Sequence, residues 1–186
     1  MKYLIAGLGN PGAEYELTRH NIGFLATDRL IQGSAGIFRP DRLAQRAEFR
    51  YKGRILHVIK PSTYMNLSGK ALQYWIRTLD LPLSNVLVVA DDVALPFGKL
   101  RMRASGSDGG HNGHRNIAEV LGSTAYPRLR MGIGGEFHKG GQVNYVLGHF
   151  TEEEMTRLPE ILDRARDTIL SFCTSGIQHT MNHYNG

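Results

Sequence analysis

The chain has 186 residues, a length typical of a single domain spanning 1–186. A hydrophobic content of 41% supports a packed core, and no apolar run approaches the roughly 20 residues that a membrane-spanning helix needs. The lone cysteine, Cys173, excludes an internal disulfide and is typical of a cytoplasmic protein. The formal charge of +5 is compatible with a polyanionic partner, although many mildly basic proteins have none.

Strands and helices alternate along the chain. In chain order, the patterns predict a strand over 2–8, a helix over 21–32, strands over 44–50 and 54–60, a helix over 68–79, strands over 85–90 and 98–103, a helix over 114–121, a strand over 128–133 and a helix ending near 173. The run 85–90 is continuously apolar, as in the centre of a parallel sheet. The predicted fold is therefore an α/β domain, with one twisted, mixed β-sheet flanked by helices.

Further predictions concern the ends of the helices. Ser68 is expected to cap the second helix, and Thr151 with Glu154 has the spacing of a capping box at the start of the last one. Pro159 should interrupt or restart that last helix, because proline lacks the amide hydrogen that a helix interior needs. Residues 175–186 are polar and are expected to form a tail.

The first loop, residues 7–23, begins with the G-x-G-x-x-G pattern of dinucleotide-binding proteins. Its context argues against a nicotinamide or flavin enzyme, because Pro11 removes an amide that would face a pyrophosphate and no helix opens at Gly12. The loop instead carries Asn10 and His20 beyond the end of the first strand, where open α/β sheets usually bind ligands.

Polar side chains recur in the loops that follow other apolar runs. The candidates are Asn10, His20, Asn66, Asp91, Asp92, His111 and Asn112. An imidazole held by a carboxylate can act as a general base and activate water, without any nucleophilic side chain. The asparagine amides could bind a peptide-like group or stabilise an oxyanion.

No metal site is predicted. His111 and His114 have ligand-like spacing, but they flank a glycine-rich loop that better suits close approach to a substrate. His179 and His183 have helical spacing, but they lie in the polar tail without a nearby Cys, Asp or Glu.

Several motifs together resemble one known family. They are G-L-G-N-P-G at 7–12, T-R-H-N-I-G at 18–23, P-S-T-Y-M-N-L-S-G at 61–69, D-D at 91–92, G-G-H-N-G at 109–113 and R-L-R-M-G-I-G at 128–134. In this order, and over nearly the whole chain, they are similar to the bacterial peptidyl-tRNA hydrolases. The resemblance implies a cytoplasmic, usually monomeric enzyme that has no metal, cofactor or obligate protein partner. It would hydrolyse the ester joining a peptide to tRNA, and so recycle tRNA from peptides dropped by stalled ribosomes.

The resemblance also implies roles for individual residues. His20 would be the base that activates water, Asp91 would orient and polarise His20, and Asn10 would help to discriminate N-blocked peptidyl esters from free aminoacyl esters. Contacts to the peptide and to the terminal nucleotide would come from Tyr15, Tyr64, Asn66 and Asn112.

A basic strand face is the candidate for binding the acceptor stem. Arg101 and Arg103 alternate with apolar residues and so share one face with Lys99, while Arg128 and Arg130 share a face of another strand. Together, Lys99, Arg101, Arg103 and one of the latter two could bind acceptor-stem phosphates. The alternative interpretation is a solvated strand face.

Three positions depart from the family pattern. Ala90 stands where His or Tyr is frequent, Ala94 replaces a second acid, and His114 replaces an apolar residue. They leave open which carboxylate pairs with His20. Some relatives bind RNA in splicing without hydrolase activity, and that function is the alternative for this chain.

Overall fold

The computed structural model describes residues 1–185, which form seven strands and six helices besides short 3₁₀ turns. The strands are β1 (Lys2–Gly7), β2 (Arg39–Asp41), β3 (Ala44–Tyr51), β4 (Arg54–Pro61), β5 (Val86–Asp92), β6 (Leu100–Arg103) and β7 (Arg128–Gly132). The helices are α1 (Ile22–Gln32), α2 (Ser68–Leu79), α3 (Asn112–Leu121), α4 (Gln142–Val146), α5 (Glu152–Ser175) and α6 (Ile177–Tyr184).

All seven strands form one mixed sheet in the order β2-β3-β4-β1-β5-β7-β6. The central strands β4, β1, β5 and β7 run parallel, and β2, β3 and β6 pair antiparallel at the two sides. The predicted α/β fold with a mixed sheet is therefore confirmed. Because β1, β5 and β7 are parallel, the loops that follow them open at the same edge of the sheet.

The sheet separates two apolar layers, as the alternation along β1 requires. Tyr3 and Ile5 face the layer that contains α1 and α5, whereas Leu4 and Ala6 face the layer that contains α2 and α3. The single aromatic indole, Trp75, lies in the second layer and donates to the Arg42 carbonyl at 2.8 Å. The core therefore covers both faces of the sheet, and ligands can enter only at its edges.

Glycines allow the first loop to return closely onto the sheet. A Cβ atom at Gly23 would clash with the Val89 carbonyl oxygen and would approach the Leu8 amide nitrogen to 2.7 Å. At Gly7, a Cβ atom would clash with the Gly23 carbonyl oxygen. The start of α1 therefore packs directly on the ends of β1 and β5, which brings the residues just before α1 over the carboxyl end of β5.

Three of the predictions about helix ends are wrong. Ser68 is the first residue of α2 and its hydroxyl donates backward to the Met65 carbonyl at 2.7 Å, so it does not cap the helix. Pro159 lies inside the uninterrupted helix α5, because its exposed position lets solvent replace the lost hydrogen bond. Residues 175–185 contain α6 rather than a tail, and residue 186 of the predicted tail lies outside the described residues. The capping box of Thr151 and Glu154 is confirmed.

The last helix is held at the outer side of β6. The Thr180 hydroxyl lies 2.7 Å from the Ser171 hydroxyl, and the side chain of Met181 packs on the core. Asn185 then accepts from the Met102 amide at 2.7 Å and donates to the Met102 carbonyl at 2.9 Å. Within the described part of the chain, no helix is both long and apolar enough to cross a membrane.

Candidate active site

Three segments meet at the carboxyl ends of β1 and β5. The first loop contributes Asn10, which follows β1, and His20, which lies in the 3₁₀ turn that precedes α1. Asp91 lies in β5 one residue before its end, and His111 immediately precedes α3. The predicted base and the predicted carboxylate are thus brought together although 71 residues separate them in sequence.

Asp91 bridges two imidazoles. Its Oδ2 lies 2.8 Å from His20 Nδ1, and its Oδ1 lies 2.8 Å from His111 Nε2. The Asp91 side chain is 2% exposed, while those of His20 and His111 are 11% and 10% exposed. The structure therefore selects Asp91 as the carboxylate that pairs with His20, and Asp92 bonds elsewhere.

The first turn of α3 determines the protonation of His111. Its Nδ1 accepts from the amides of Gly113 at 3.1 Å and His114 at 3.2 Å, so the lone pair of Nδ1 is used. The proton must therefore sit on Nε2, from which it is donated to Asp91. Sequence reasoning missed this contact, because histidine is not among the usual helix-capping residues.

The bridging carboxylate remains ionised. Burial by itself raises the pKa of Asp91. The neighbouring His20 and His111, and the hydrogen bonds that their rings donate, lower this pKa by more than burial raises it. The pKa of Asp91 consequently lies well below its ordinary value. An ionised Asp91 accepts a hydrogen bond from His20 Nδ1–H, which leaves the lone pair of His20 Nε2 available as a base.

The same three side chains have the composition of a metal site. Their ligand atoms lie within 4.8 Å of one another. However, the α3 amides occupy the Nδ1 lone pair of His111, so a metal at Nε2 would have to displace the only proton that the neutral ring carries. The donor set fits a hydrogen-bonded relay better than a cation site.

Asn10 is held with its amide nitrogen free to donate. Its side-chain Oδ1 accepts from the Met65 amide at 2.7 Å, and its backbone exchanges two hydrogen bonds with the Asn21 side chain at 2.8 and 3.0 Å. Within residues 1–185 the Nδ2 atom of Asn10 has no hydrogen-bond partner. This places one oriented amide donor beside the loop that carries His20.

The remaining residues predicted to contact substrate lie around this point. The rings of Tyr15 and Tyr64 meet edge to face with centroids 6.4 Å apart, and Tyr64 is 57% exposed. Asn66 follows Met65 in an exposed 3₁₀ turn, and that turn packs on the start of α3, where Asn112 is also exposed. The polar side chains of Asn66 and Asn112 therefore face solvent.

A cavity of about 730 Å³ opens beside His20 and Asp91 and is bordered by cations. Its lining contains four cationic side chains, Arg103, Arg128, Arg130 and Lys139, and three carboxylates, Asp91, Asp92 and Asp108. Parts of the wall come from the glycine-rich loop before α3 and from one side of α4. The excess of positive charge is compatible with a polyanionic ligand.

The predicted basic face contains Arg101, Arg103 and Arg130. Arg101 on β6 lies opposite Arg130 on β7. Burial and the charges of Arg101 and Arg130 lower the pKa of Arg103, while Arg130 donates to Asp92 at 2.6 Å. Arg128 is not available in the same way, because it is buried and donates to backbone carbonyls, including that of Thr124 at 2.7 Å.

His114, one of the departures from the family pattern, forms a buried polar pair. Its Nδ1 lies 2.8 Å from the Tyr126 hydroxyl, and its ring lies 5.0 Å from the ring of His111. Burial lowers the pKa of His114 well below its ordinary value. The ring is therefore neutral and supports the segment that carries His111.

An imidazole held by a buried carboxylate, with amide donors nearby, has the chemistry that a hydrolase needs to activate water directly. A family model described as peptidyl-tRNA hydrolase matches residues 4–186. A peptidyl-tRNA hydrolase of Parabacteroides distasonis is 54% identical over 185 residues, which cover 100% of this chain and 99% of the relative. One from Porphyromonas gingivalis is also 54% identical, with both chains covered completely.

A solved structure gives the same result in three dimensions. The crystal structure of peptidyl-tRNA hydrolase from Acinetobacter baumannii superposes with a TM-score of 0.94 at 29% identity, covering 99% of this chain and 94% of that chain. The chain therefore belongs to the peptidyl-tRNA hydrolase family.

Proposed function

We propose that this protein hydrolyses the ester bond between peptide and tRNA with a water molecule activated by His20. One observation carries the mechanism: Asp91 accepts from His20 Nδ1 at 2.8 Å, and this directs the His20 Nε2 lone pair away from the carboxylate. Because the helix α3 holds His111 as a second donor to Asp91, the carboxylate cannot turn away from this geometry.

The proposed reaction needs no covalent intermediate. His20 Nε2 removes a proton from water as its oxygen attacks the ester carbonyl, and the carbonyl oxygen acquires negative charge. The free amide donor of Asn10, with that of Asn112, supports this oxyanion. The protonated His20 then gives its proton to the departing ribose oxygen, so free peptide acid and tRNA leave and His20 returns to its starting state.

Selection of the substrate follows from the groups around the base. A peptidyl ester presents a neutral amide next to the ester, whereas an aminoacyl ester presents an ammonium group. Asn10 can hydrogen-bond the neutral amide, and Tyr15, Tyr64 and Asn66 border its path. Arginines on β6 and β7 supply charge for acceptor-stem phosphates, with the terminal nucleotide in the adjacent cavity.

The proposal extends to the cellular setting. The substrate is peptidyl-tRNA that has left the ribosome, and the protein acts in the cytoplasm as a monomer without a metal or an obligate protein partner. The alternative of a non-catalytic RNA-binding relative is not favoured, because hydrolases cover the whole chain at 50–54% identity.

The direct test is His20→Ala. Purified protein is incubated with N-acetylated aminoacyl-tRNA, and release of free tRNA is followed on an acid gel. We expect the variant to keep the circular dichroism spectrum and melting temperature of the native protein and to lose cleavage by about 10³-fold or more. His179→Ala, on the exposed side of α6, is the matched control and should retain full activity. Turnover by the His20 variant within tenfold of the native rate would refute the assignment of the base.

A further inference from the structure

Arg19 precedes the catalytic base in the T-R-H-N motif but has no part in the mechanism above. Its guanidinium is nearly buried, with a side chain 11% exposed. Nη2 contacts Glu154 Oε1 at 3.1 Å, and Nη1 donates to the Tyr145 carbonyl at 3.2 Å. The Cζ atom lies 4.3 Å from the centre of the Tyr145 ring, in the geometry of a cation–π contact.

These contacts join the catalytic turn to one wall of the cavity. Gln142, Val143 and Val146 of α4 line the cavity that also contains His20. The Arg19 amide donates to the carbonyl of Gly148 at 3.0 Å, just beyond α4. Both the backbone and the side chain of one residue therefore hold the end of this wall.

Tyr145 links Arg19 to the loop before α4. Its hydroxyl donates to the Ile133 carbonyl at 2.6 Å, and its ring lies 5.3 Å from that of Phe137, which also lines the cavity. The phenol is thus clamped between Arg19 and the start of the 133–141 loop. Arg19 therefore contacts the far end of the segment 133–148 directly, and its start through Tyr145, where backbone hydrogen bonds from Ile133 to Asp92 and from Gly134 to Leu95 also hold it.

Stability alone does not account for this arrangement. The Arg19 Nε atom is buried and has no hydrogen-bond partner within the described residues. An unsatisfied buried donor is unfavourable, and a buried ion pair is often no more stabilising than apolar residues of the same volume. Apart from the ion pair with Glu154 of α5, the favourable contacts of Arg19 go to Tyr145 and Gly148, which suits a role in setting the position of that segment.

We infer that Arg19 is a positioning residue that fixes the 142–148 wall relative to His20, and so sets the width of the substrate cleft. The inference rests on the proposed function. Because Arg19 acts on the wall and not on the base, its loss should weaken substrate binding more than it slows the chemical step.

The test compares Arg19→Met and Arg19→Lys with Arg29→Met. Arg29 pairs with Asp163, so it also joins the His20 side of the fold to α5, but it lies outside the cavity. Steady-state hydrolysis of N-acetylated aminoacyl-tRNA is measured from pH 5 to pH 9, together with melting temperature. We expect Arg19→Met to raise KM about tenfold, with kcat and its pH profile changed less than threefold. Arg19→Lys should give an intermediate KM, and Arg29→Met should leave KM unchanged.

A second variant covers the case in which Arg19→Met does not fold. Tyr145→Phe retains the ring but removes the bond to Ile133, and it should also raise KM with kcat preserved. An unchanged KM in the folded variants, a shifted pH profile of kcat, or an equal effect of Arg29→Met would overturn the inference. Failure of the native protein to cleave the substrate would instead overturn the proposed function, so the two failures are distinguishable.

Discussion

Replacing Asp91 with asparagine should move the proton of His20 to the wrong nitrogen. In the native site, both carboxylate oxygens accept from ring N–H groups at 2.8 Å. Asparagine offers one acceptor and one donor, so one imidazole must turn a lone pair toward the amide. His111 cannot do so, because the amides of Gly113 and His114 already bind its Nδ1 lone pair.

His20 is therefore the ring that changes. Its Nδ1 accepts from the new amide, and its proton moves to Nε2, where the base is needed. In the opposite orientation, the oxygen of the new amide faces His20 and the His20 tautomer is preserved. The amide N–H then faces the Nε2–H of His111, and placing these two buried donors together costs about 1–3 kcal/mol. We expect kcat to fall about 10⁴-fold, as for the same change in a Ser-His-Asp triad. The tautomer shift accounts for about 5- to 150-fold of this loss, and the lost negative charge that stabilises the protonated imidazole accounts for the rest.

Single-turnover cleavage with enzyme in excess measures this loss without interference from product release. The decisive comparison adds His111→Asn, which removes the opposing N–H and keeps a residue type suited to capping α3. Relief of the donor clash should make the double variant about 5- to 150-fold faster than Asp91→Asn alone, the equivalent of 1–3 kcal/mol. A double variant as slow as Asp91→Asn, or less than a tenfold loss in Asp91→Asn, would refute the tautomer argument.

Two further predictions concern RNA binding and stability. Replacing both Arg101 and Arg103 with alanine should weaken tRNA binding and reduce the slope of log affinity against log salt by about 1 per lost phosphate contact. The control is the double variant Arg39→Ala with Arg50→Ala. Equal slopes for the native protein and the Arg101 and Arg103 variant would count against the patch. Burial lowers the pKa of His114 below its ordinary 6.5, so the unfolded chain binds a proton below that pH and the native chain does not. The free energy of unfolding should therefore decrease as the pH falls below 6.5, by up to about 1.4 kcal/mol per pH unit more than in His114→Gln. Urea titrations at several pH values measure this difference. Parallel curves of unfolding free energy against pH for the two proteins would exclude a neutral native ring.

The main elements were predictable because their signals are local. The apolar run at 85–90 became the central strand β5, and the two runs around Lys52-Gly53 became the antiparallel pair β3 and β4. The strand β2 was not predicted, because all three of its residues are exposed and Pro40 lies among them. The helix α6 was not predicted either, since tertiary contacts such as that of Thr180 stabilise a sequence with few apolar residues.

The residues of the site could be predicted from the sequence, but not all of the hydrogen bonds between them. Resemblance to the family identified His20 and Asp91 as partners, and their contact is observed. The second hydrogen-bond donor to Asp91 is His111, and its orientation depends on where α3 begins. That helix starts two residues earlier than the apolar pattern predicts. Likewise, the burial of Arg128 could not be distinguished from the partial exposure of Arg130, since both occupy the same face of β7.

The contact between Asn185 and Met102 has a consequence for solubility. β6 is the last strand of the sheet, and its outward amide and carbonyl at Met102 would be a template for another chain. The carboxamide of Asn185 satisfies both groups, as the backbone of an eighth strand would. At the other margin, β2 is only three residues long and contains Pro40, which has no amide hydrogen to share. Both margins of the sheet are thus protected against edge-to-edge aggregation.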